Sequence, residues 1–367
     1  MVAGLFGLGS SSRDFAQANS WGKNVFTNSL PIALARYMDS EGLDPVLISA
    51  YETSAGRIAT RQTLTPLSQI LNVEPDKARF LFETIYSRHI PFSKDAPEKS
   101  DVVIAATDGS HRRALEIKLT TVPDSSSAEK PHDQQSCEIV SRPLMIEQLA
   151  VTICASFGLK RRRILNELLN EFISHPAQMP WPDEPKMLAR LPEILNAVEQ
   201  VIRRGLELQT PMVLHPIWRT VGKTPVLEDD CFDVFVWTDL AWSQLLLDSS
   251  RTIRDEISRP QRSIIWLVKM LWDYSTQGSF DRANTFESIT YNKQTDKAAS
   301  FAGNKTIVHL RGQYLSSPRI PASALSNIIL GDGVKFLAPE RRLDAAIFIQ
   351  VIRDSVKPSA ALGGPVE

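Results

Sequence analysis

Cysteine is scarce: three in 367 residues, Cys137, Cys154 and Cys231, far apart and odd in number. Such a set fits neither a zinc spacing nor a disulfide framework, so the thiols read as reduced and structural, as in a cytosolic protein. No apolar run reaches membrane-spanning length, and the first residues lack the basic-then-apolar pattern of a secretory leader. A soluble, cytoplasmic protein is the expectation. Histidine is sparse as well, six in all, with no pair at ligand spacing. Cofactor fingerprints and a nucleophile elbow are missing, which makes a metabolic enzyme the weakest reading. There is no excess of either charge: 41 Lys and Arg face 42 Asp and Glu, for a net charge of −1. A polyanionic partner would have to meet positive charge gathered in one cleft. At 43% hydrophobic and 23% charged residues the composition is that of a globular protein. No internal repeat or sharp boundary interrupts it, so residues 1–367 are read as a single domain.

Two stretches imitate nucleotide loops, and both fail. Gly4, Gly7 and Gly9 are followed by no Lys-Ser/Thr and preceded by no strand. Gly222-Lys223-Thr224 looks like the end of a phosphate loop, but Ile217 stands where a glycine is required and Pro225 blocks the helix that should follow.

The stretch with chemical content is Ser100–Thr120, SDVVIAATDGSHRRALEIKLT. Val102, Val103 and Ile104 predict one strand, Asp108-Gly109-Ser110 a turn, and Ala114 to Leu119 a second strand. Asp101 opens the first strand. Glu116 and Lys118 stand two apart on the second, so strand alternation gives them one face and Ile117 the other. An acid and a lysine on one face of a buried strand are unusual unless paired or bound to a metal. Converging carboxylates make a hard oxygen site for Mg2+, and a neighbouring lysine can orient an attacking water, which is equipment for phosphodiester hydrolysis. The spacing D-x14-E-x-K is similar to the PD-(D/E)XK nuclease signature, with Ser100 where that signature often has proline. The competing reading is an ordinary hairpin whose Glu116 and Lys118 pair on a solvated face.

The flanking chain is read in order. A helix is predicted over about 24–38, a strand over 44–49, and a second helix over about 74–88. Phe80, Leu81, Thr84 and Ile85 would form the apolar face of that second helix, and Glu83 would lie on it as a possible third acid. Residues 122–138 are polar and rich in Pro and Ser, a loop that could contact DNA. Residues 143 to about 209 are helical. Lys160-Arg161-Arg162-Arg163 opens one of these helices and reads as a solvated basic face rather than a grip on phosphates. Strands are predicted over 211–220 and 231–238, with a turn-rich segment between them. A helix follows from 240 to about 248, and an amphipathic helix covers 260–274, with Trp266, Met270 and Trp272 as core or subunit contacts. The segment after it, about 280–301, is rich in side chains able to read bases. Arg282, Asn284, Lys293, Gln294, Asp296 and Lys297 are its candidate DNA contacts. A strand over 305–310 and a last helix over about 339–354 complete the chain.

Several longer strings carry a more specific likeness: GLFGLGSSSRDF with SWGKNVFTNSLPIALARYM, the EIKL strand, LEDDCFDVFVWTDLAW, and SITYNKQTDKAASF. In this order they resemble the HindVP family of type II restriction endonucleases, over most of the chain from Gly4 to about Phe301. The resemblance implies an α/β fold, a PD-(D/E)XK restriction-endonuclease-like core with a mixed central β-sheet flanked by helices and with helical insertions. It implies Asp101, Glu116 and Lys118 as the catalytic set, with Asp101, Glu116 and the Ile117 carbonyl as ligands for Mg2+. It further implies hydrolysis of double-stranded DNA at a short palindrome, of the GRCGYC type in some members, leaving 5′-phosphate and 3′-hydroxyl ends. A homodimer follows, because a two-fold protein matches a two-fold site. A cognate DNA methyltransferase is expected in the same system, without a stable complex. The alternatives are a non-catalytic DNA-binding module on the nuclease fold, or another PD-(D/E)XK enzyme that repairs or nicks.

Overall fold

The computed structural model describes residues 9–11, 20–22, 42–44, 46–74, 77–95, 97, 99–115, 136–141, 143–208, 212–214, 218–221, 224–227, 235–236, 239–291 and 306–311. The chain divides into two compact units, Met1–Glu41 with Ile320–Glu367, and Gly42–Arg319. In the first unit β1 (Gly9–Ser11) and β2 (Ser20–Gly22) pair in parallel. The helices expected over 24–38 and 339–354 lie outside the described residues.

The second unit opens with β3 (Val46–Glu52) and β4 (Ile58–Leu64), then a short helix α1 (Leu67–Leu71). Next come β5 (Arg79–Thr84), a 3-10 turn at Ser87–His89, β6 (Ser100–Ala105), β7 (His111–Leu115) and β8 (Ser136–Ser141). Two long helices follow, α2 (Pro143–Phe172) and α3 (Glu184–Gly205). Short strands β9 (Met212–Leu214), β10 (Trp218–Val221), β11 (Thr224–Leu227) and β12 (Phe235–Val236) separate them from α4 (Asp239–Ser250). Helices α5 (Arg259–Gln277) and α6 (Arg282–Ser288) and strand β13 (Thr306–Arg311) complete the described part.

Four antiparallel sheets are built from these strands: β12-β9-β3-β4, β5-β6-β7, β13-β8 and β10-β11. The class is therefore mixed α/β. Among the described residues the strands form several small sheets, where one mixed central sheet was expected. The turn-rich stretch expected between the strands of 211–238 itself contains β11, paired back on β10.

The core is helical. Trp242 of α4 and Trp266 and Tyr274 of α5 are fully enclosed, packed with Leu149, Ile153 and Leu165 of α2 and with Leu191 and Ile194 of α3. Trp266 and Met270 are core residues, as expected, and Trp272 packs against the same cluster. Local signals explain the helix ends. The Asp183 side chain accepts from the backbone N–H of Lys186 at the start of α3. Ser258 and Gln261 cap α5 reciprocally, and Gly278, in the left-handed conformation, stops it. Helix α2 is two helices joined at Gly158, whose φ of 62° and ψ of 174° no helix accommodates. No helix among the described residues is long and apolar enough to cross a membrane.

The helix expected over 74–88 is not there. Its place is taken by β5 and the 3-10 turn, preceded by the single helical turn α1. Phe80, Leu81, Thr84 and Ile85 match a helical stripe, but Phe80-Leu81-Phe82 is also a short apolar run of the kind that suits a strand. Strand β6 is apolar and buried on both faces, Val102, Val103 and Ile104 being fully enclosed. Such a strand leaves a ladder of backbone groups that only another strand can satisfy, and β5 supplies it.

Candidate active site

The hairpin read from the sequence is present, as β6 and β7. Its turn closes through the Gly109 N–H donating to the Ala106 carbonyl at 2.9 Å. The Asp108 carboxylate accepts from the Ser110 N–H at 2.8 Å and from the Ser110 hydroxyl, and these bonds hold its pKa below the usual carboxylate value. Gly109 takes φ of 80°, which a side chain would strain, and the ladder shifts register between Ile104 and Ala105. This combination of a turn, a left-handed glycine and a bulge is a three-residue hairpin connection with a built-in twist.

Asp101 stands on β6, the central strand of the three-stranded sheet. Glu83 stands on β5, not on a preceding helix, which corrects the expectation for this residue. The β5–β6 ladder pairs Phe82 with Val102 and Thr84 with Ser100, so positions 83 and 101 face each other between these pairs. In β6–β7, Val102 pairs with Leu115, the last residue of β7. Glu116, Ile117 and Lys118 begin directly after it and lie outside the described residues. Ser100, at the position where the nuclease signature often has proline, is buried, and among the described residues its hydroxyl has no hydrogen-bond partner. Among the described residues no three His, Cys, Asp or Glu side chains gather as a metal site.

The sheet is braced on one side by an aromatic group that the sequence did not announce. Tyr86 stacks on His111 of β7 at 6.0 Å between ring centroids and meets His89 edge-on at 4.8 Å. The Tyr86 hydroxyl donates to the Arg112 carbonyl at 3.1 Å, and the Ser87 N–H donates to His111 Nδ1 at 3.2 Å. His89 is 6% exposed, and burial pushes its pKa down to about 4 from 6.5.

That shift has a defined sign. Above pH 6.5 neither the folded nor the unfolded chain protonates this imidazole. Between 6.5 and about 4 only the unfolded chain does, so stability falls as pH falls, by about 3 kcal/mol across the window. Below it both states are protonated and no further loss comes from His89. Thermal midpoints measured from pH 7 to 4 are expected to fall less steeply for His89→Phe than for the wild type. Parallel curves would mean that His89 does not carry the effect.

Of the residues nominated as DNA contacts, two are described. Arg282 opens α6, and its guanidinium donates to the Glu147 carboxylate of α2 at 2.9 Å. Glu147 is 2% exposed, so this ion pair lies inside the protein. Asn284 is exposed on the same helix, whose N-terminus is capped by Asp281 accepting from the Asn284 N–H at 2.8 Å. Lys293, Gln294, Asp296 and Lys297 lie outside the described residues, as do residues 122–135 of the loop after the hairpin.

Comparison with known proteins decides the kinship. A family model described as HindVP restriction endonuclease matches residues 21–352. The chain belongs to the HindVP restriction endonuclease family. It is 34% identical over 349 residues to the type II restriction enzyme HgiDI of Herpetosiphon aurantiacus, covering 94% of this chain and 95% of that one. It is 32% identical over 351 residues to the probable type II restriction enzyme HindVP of Haemophilus influenzae (strain ATCC 51907 / DSM 11121 / KW20 / Rd), covering 94% and 92%. No solved structure matches the fold. As a HindVP-family member the chain is a restriction endonuclease, a phosphodiester hydrolase of a restriction–modification system. The match includes the β5-β6-β7 sheet, the segment about 280–301 and β13.

Proposed function

We propose that this enzyme hydrolyses double-stranded DNA in a Mg2+-dependent reaction at a short palindromic site, of the GRCGYC type, leaving 5′-phosphate and 3′-hydroxyl ends. The observation that carries the site assignment is the register of the three-stranded sheet. Positions 83 and 101 are cross-strand neighbours. If the β6–β7 ladder continues by one pair, position 116 meets 101 from the other side. Glu83, Asp101 and Glu116 would then form one rung of three carboxylates, and Lys118 would follow two residues along the same strand.

The donor set suits the ion: carboxylates and a backbone carbonyl are hard oxygen ligands of the kind Mg2+ takes. Asp101, Glu116 and the Ile117 carbonyl would hold it, with Glu83 beside them. When bound, Mg2+ supplies Lewis acidity toward the phosphoryl oxygens. Lys118 orients the attacking water and places positive charge where the transition state gathers negative charge. The apolar burial of β6 holds the Asp101 backbone in place, as a catalytic constellation needs a rigid support.

Sequence reading is assigned to Lys293, Gln294, Asp296 and Lys297 with Asn284. Arg282 acts behind them, through the Glu147 pair that fixes the start of α6. The hairpin and this segment belong to one nuclease domain, and both fall within Gly42–Arg319. The active species is a homodimer, and a cognate methyltransferase protects the host site without forming a stable complex.

A digest of plasmid or phage DNA with and without Mg2+, followed by sequencing of the fragment ends, tests this reading. Discrete metal-dependent fragments sharing one palindrome are expected. A smear or nicked circles would instead identify another PD-(D/E)XK enzyme, one that repairs or nicks. Intact DNA in Mg2+ and in Mn2+, with duplex binding preserved, would leave a binding module.

A further inference from the structure

Among the described helices charge runs both ways: α5 opens with Arg259 and Arg262 and α6 with Arg282, and there Arg262 and Arg282 have partners inside the protein, the Tyr291 carbonyl and Glu147. Helix α3 carries Asp183 and Glu184 at its start and Arg203 and Arg204 at its end, matching the helix dipole. The second half of α2 is charged the other way round. Gly158 breaks the helix, and the new first turn opens with Lys160, Arg161, Arg162 and Arg163. Toward its end come Glu167 and Glu171, and the last turn has no basic residue. Four cations beside unsatisfied N–H groups repel both those groups and one another. Lys160, Arg161 and Arg163 are exposed, and Arg163 pairs only with a solvated carboxylate, Glu167, at 3.2 Å. An exposed pair of that kind offsets little.

Arg162 is placed differently. Its guanidinium lies over Gly278 at the C-terminal end of α5, close enough that a Cβ there would meet Nη1 at 2.6 Å. Lys94 reaches the same helix end, donating to Gln277 Oε1 at 2.9 Å. The end of a helix attracts cations, so these two have a structural reason to be there. Lys160, Arg161 and Arg163 share the helical turn of Arg162 and are exposed. The segment that carries Lys94 leads from β5 and pairs through Ser93 with Phe280, just before α6.

We propose that Lys160, Arg161 and Arg163 form a phosphate-binding surface for the backbone of duplex DNA, contacting it without reading sequence. An arrangement that is unfavourable in the free protein becomes favourable when a polyanion neutralises it, and the net charge of −1 leaves DNA to be met by local concentrations of this kind. The choice of duplex DNA as the polyanion rests on the DNA-cleaving reading above.

The test compares the full-length wild type with the triple variant Lys160→Gln/Arg161→Gln/Arg163→Gln. Binding to short duplexes with and without the palindrome is measured in EDTA over a KCl series. The log–log salt slope is expected to shrink by about 2 to 3. Affinity should fall by a similar factor on both duplexes, with a thermal midpoint no lower than that of the wild type. An unchanged slope and affinity would overturn the proposal. So would a loss confined to the palindromic duplex, which would make the cluster a base reader. A lowered midpoint with an unchanged slope would return the cations to a structural role. If the wild type cuts and binds DNA while the variant behaves alike, only this surface is lost. If the wild type neither cuts nor binds duplex, the DNA reading itself fails.

Discussion

Asp101→Ala is expected to abolish DNA cleavage, and Lys118→Ala likewise, while both variants still bind the cognate duplex. In the proposed site Asp101 is a ligand of the ion and Lys118 the group that faces the developing charge, and removing either forfeits several kcal/mol of transition-state stabilisation. About 4 kcal/mol corresponds to roughly a thousandfold in rate. Binding should survive, because affinity for duplex DNA comes mainly from phosphate and base contacts made elsewhere. Removing the Asp101 carboxylate even lessens repulsion toward the phosphates, so binding is measured without cleavage in the presence of the ion. Single-turnover cleavage and gel-shift titration with the same duplex separate the two effects. Near wild-type cleavage by either variant would remove the sheet rung from the active site. Glu83→Gln belongs in the same series, since its position across from 101 makes it part of the proposed rung.

The second large effect lies in stability. Arg282→Ala leaves the Glu147 carboxylate, 2% exposed, without the guanidinium that faces it at 2.9 Å. Breaking a buried pair by removing one partner is far more damaging than removing both, because the remaining carboxylate keeps its desolvation cost and loses its opposite charge. A loss of about 3 kcal/mol is expected, read as a lower denaturation midpoint at unchanged m-value. Glu147→Gln in the Arg282→Ala background should recover a large part of that loss. Equal midpoints for the single and double variants would show that the pair contributes little. DNA binding by Arg282→Ala, assayed well below its unfolding midpoint, separates this structural role from a direct contact.

Some of the protein was legible without coordinates, and the reasons are local. The β6–β7 hairpin could be read because its apolar run is bounded by Asp108-Gly109-Ser110, whose turn chemistry acts within a few residues. Helices α4 and α5 were read to within a few residues, α5 from its apolar stripe and its own end signals and α4 from an apolar run that is buried all round. β5 was misread because Phe80, Leu81, Thr84 and Ile85 satisfy a helical period, while the short apolar run Phe80 to Phe82 also suits a strand. The tie was broken by β6, some twenty residues away. The Tyr86–His89–His111 group was illegible for the same reason: nothing in the spacing of two histidines and a tyrosine says that a turn brings them together.

What the sequence determined by itself is the family, carried by long strings in fixed order, together with the hairpin that bears Asp101 and the helices whose periodicity is unambiguous. Those features depend on residues close in the chain or on strings too long to arise by chance. The tertiary structure alone decided that Glu83 sits on a strand opposite Asp101 and that Arg282 answers a buried carboxylate 135 residues earlier in the chain. It also placed the helix break at Gly158, just before the Lys160 to Arg163 run that the sequence already marks as opening a helix. Pairing across strands and burial of charge are set by which distant segments meet, and short-range spacing carries no record of that.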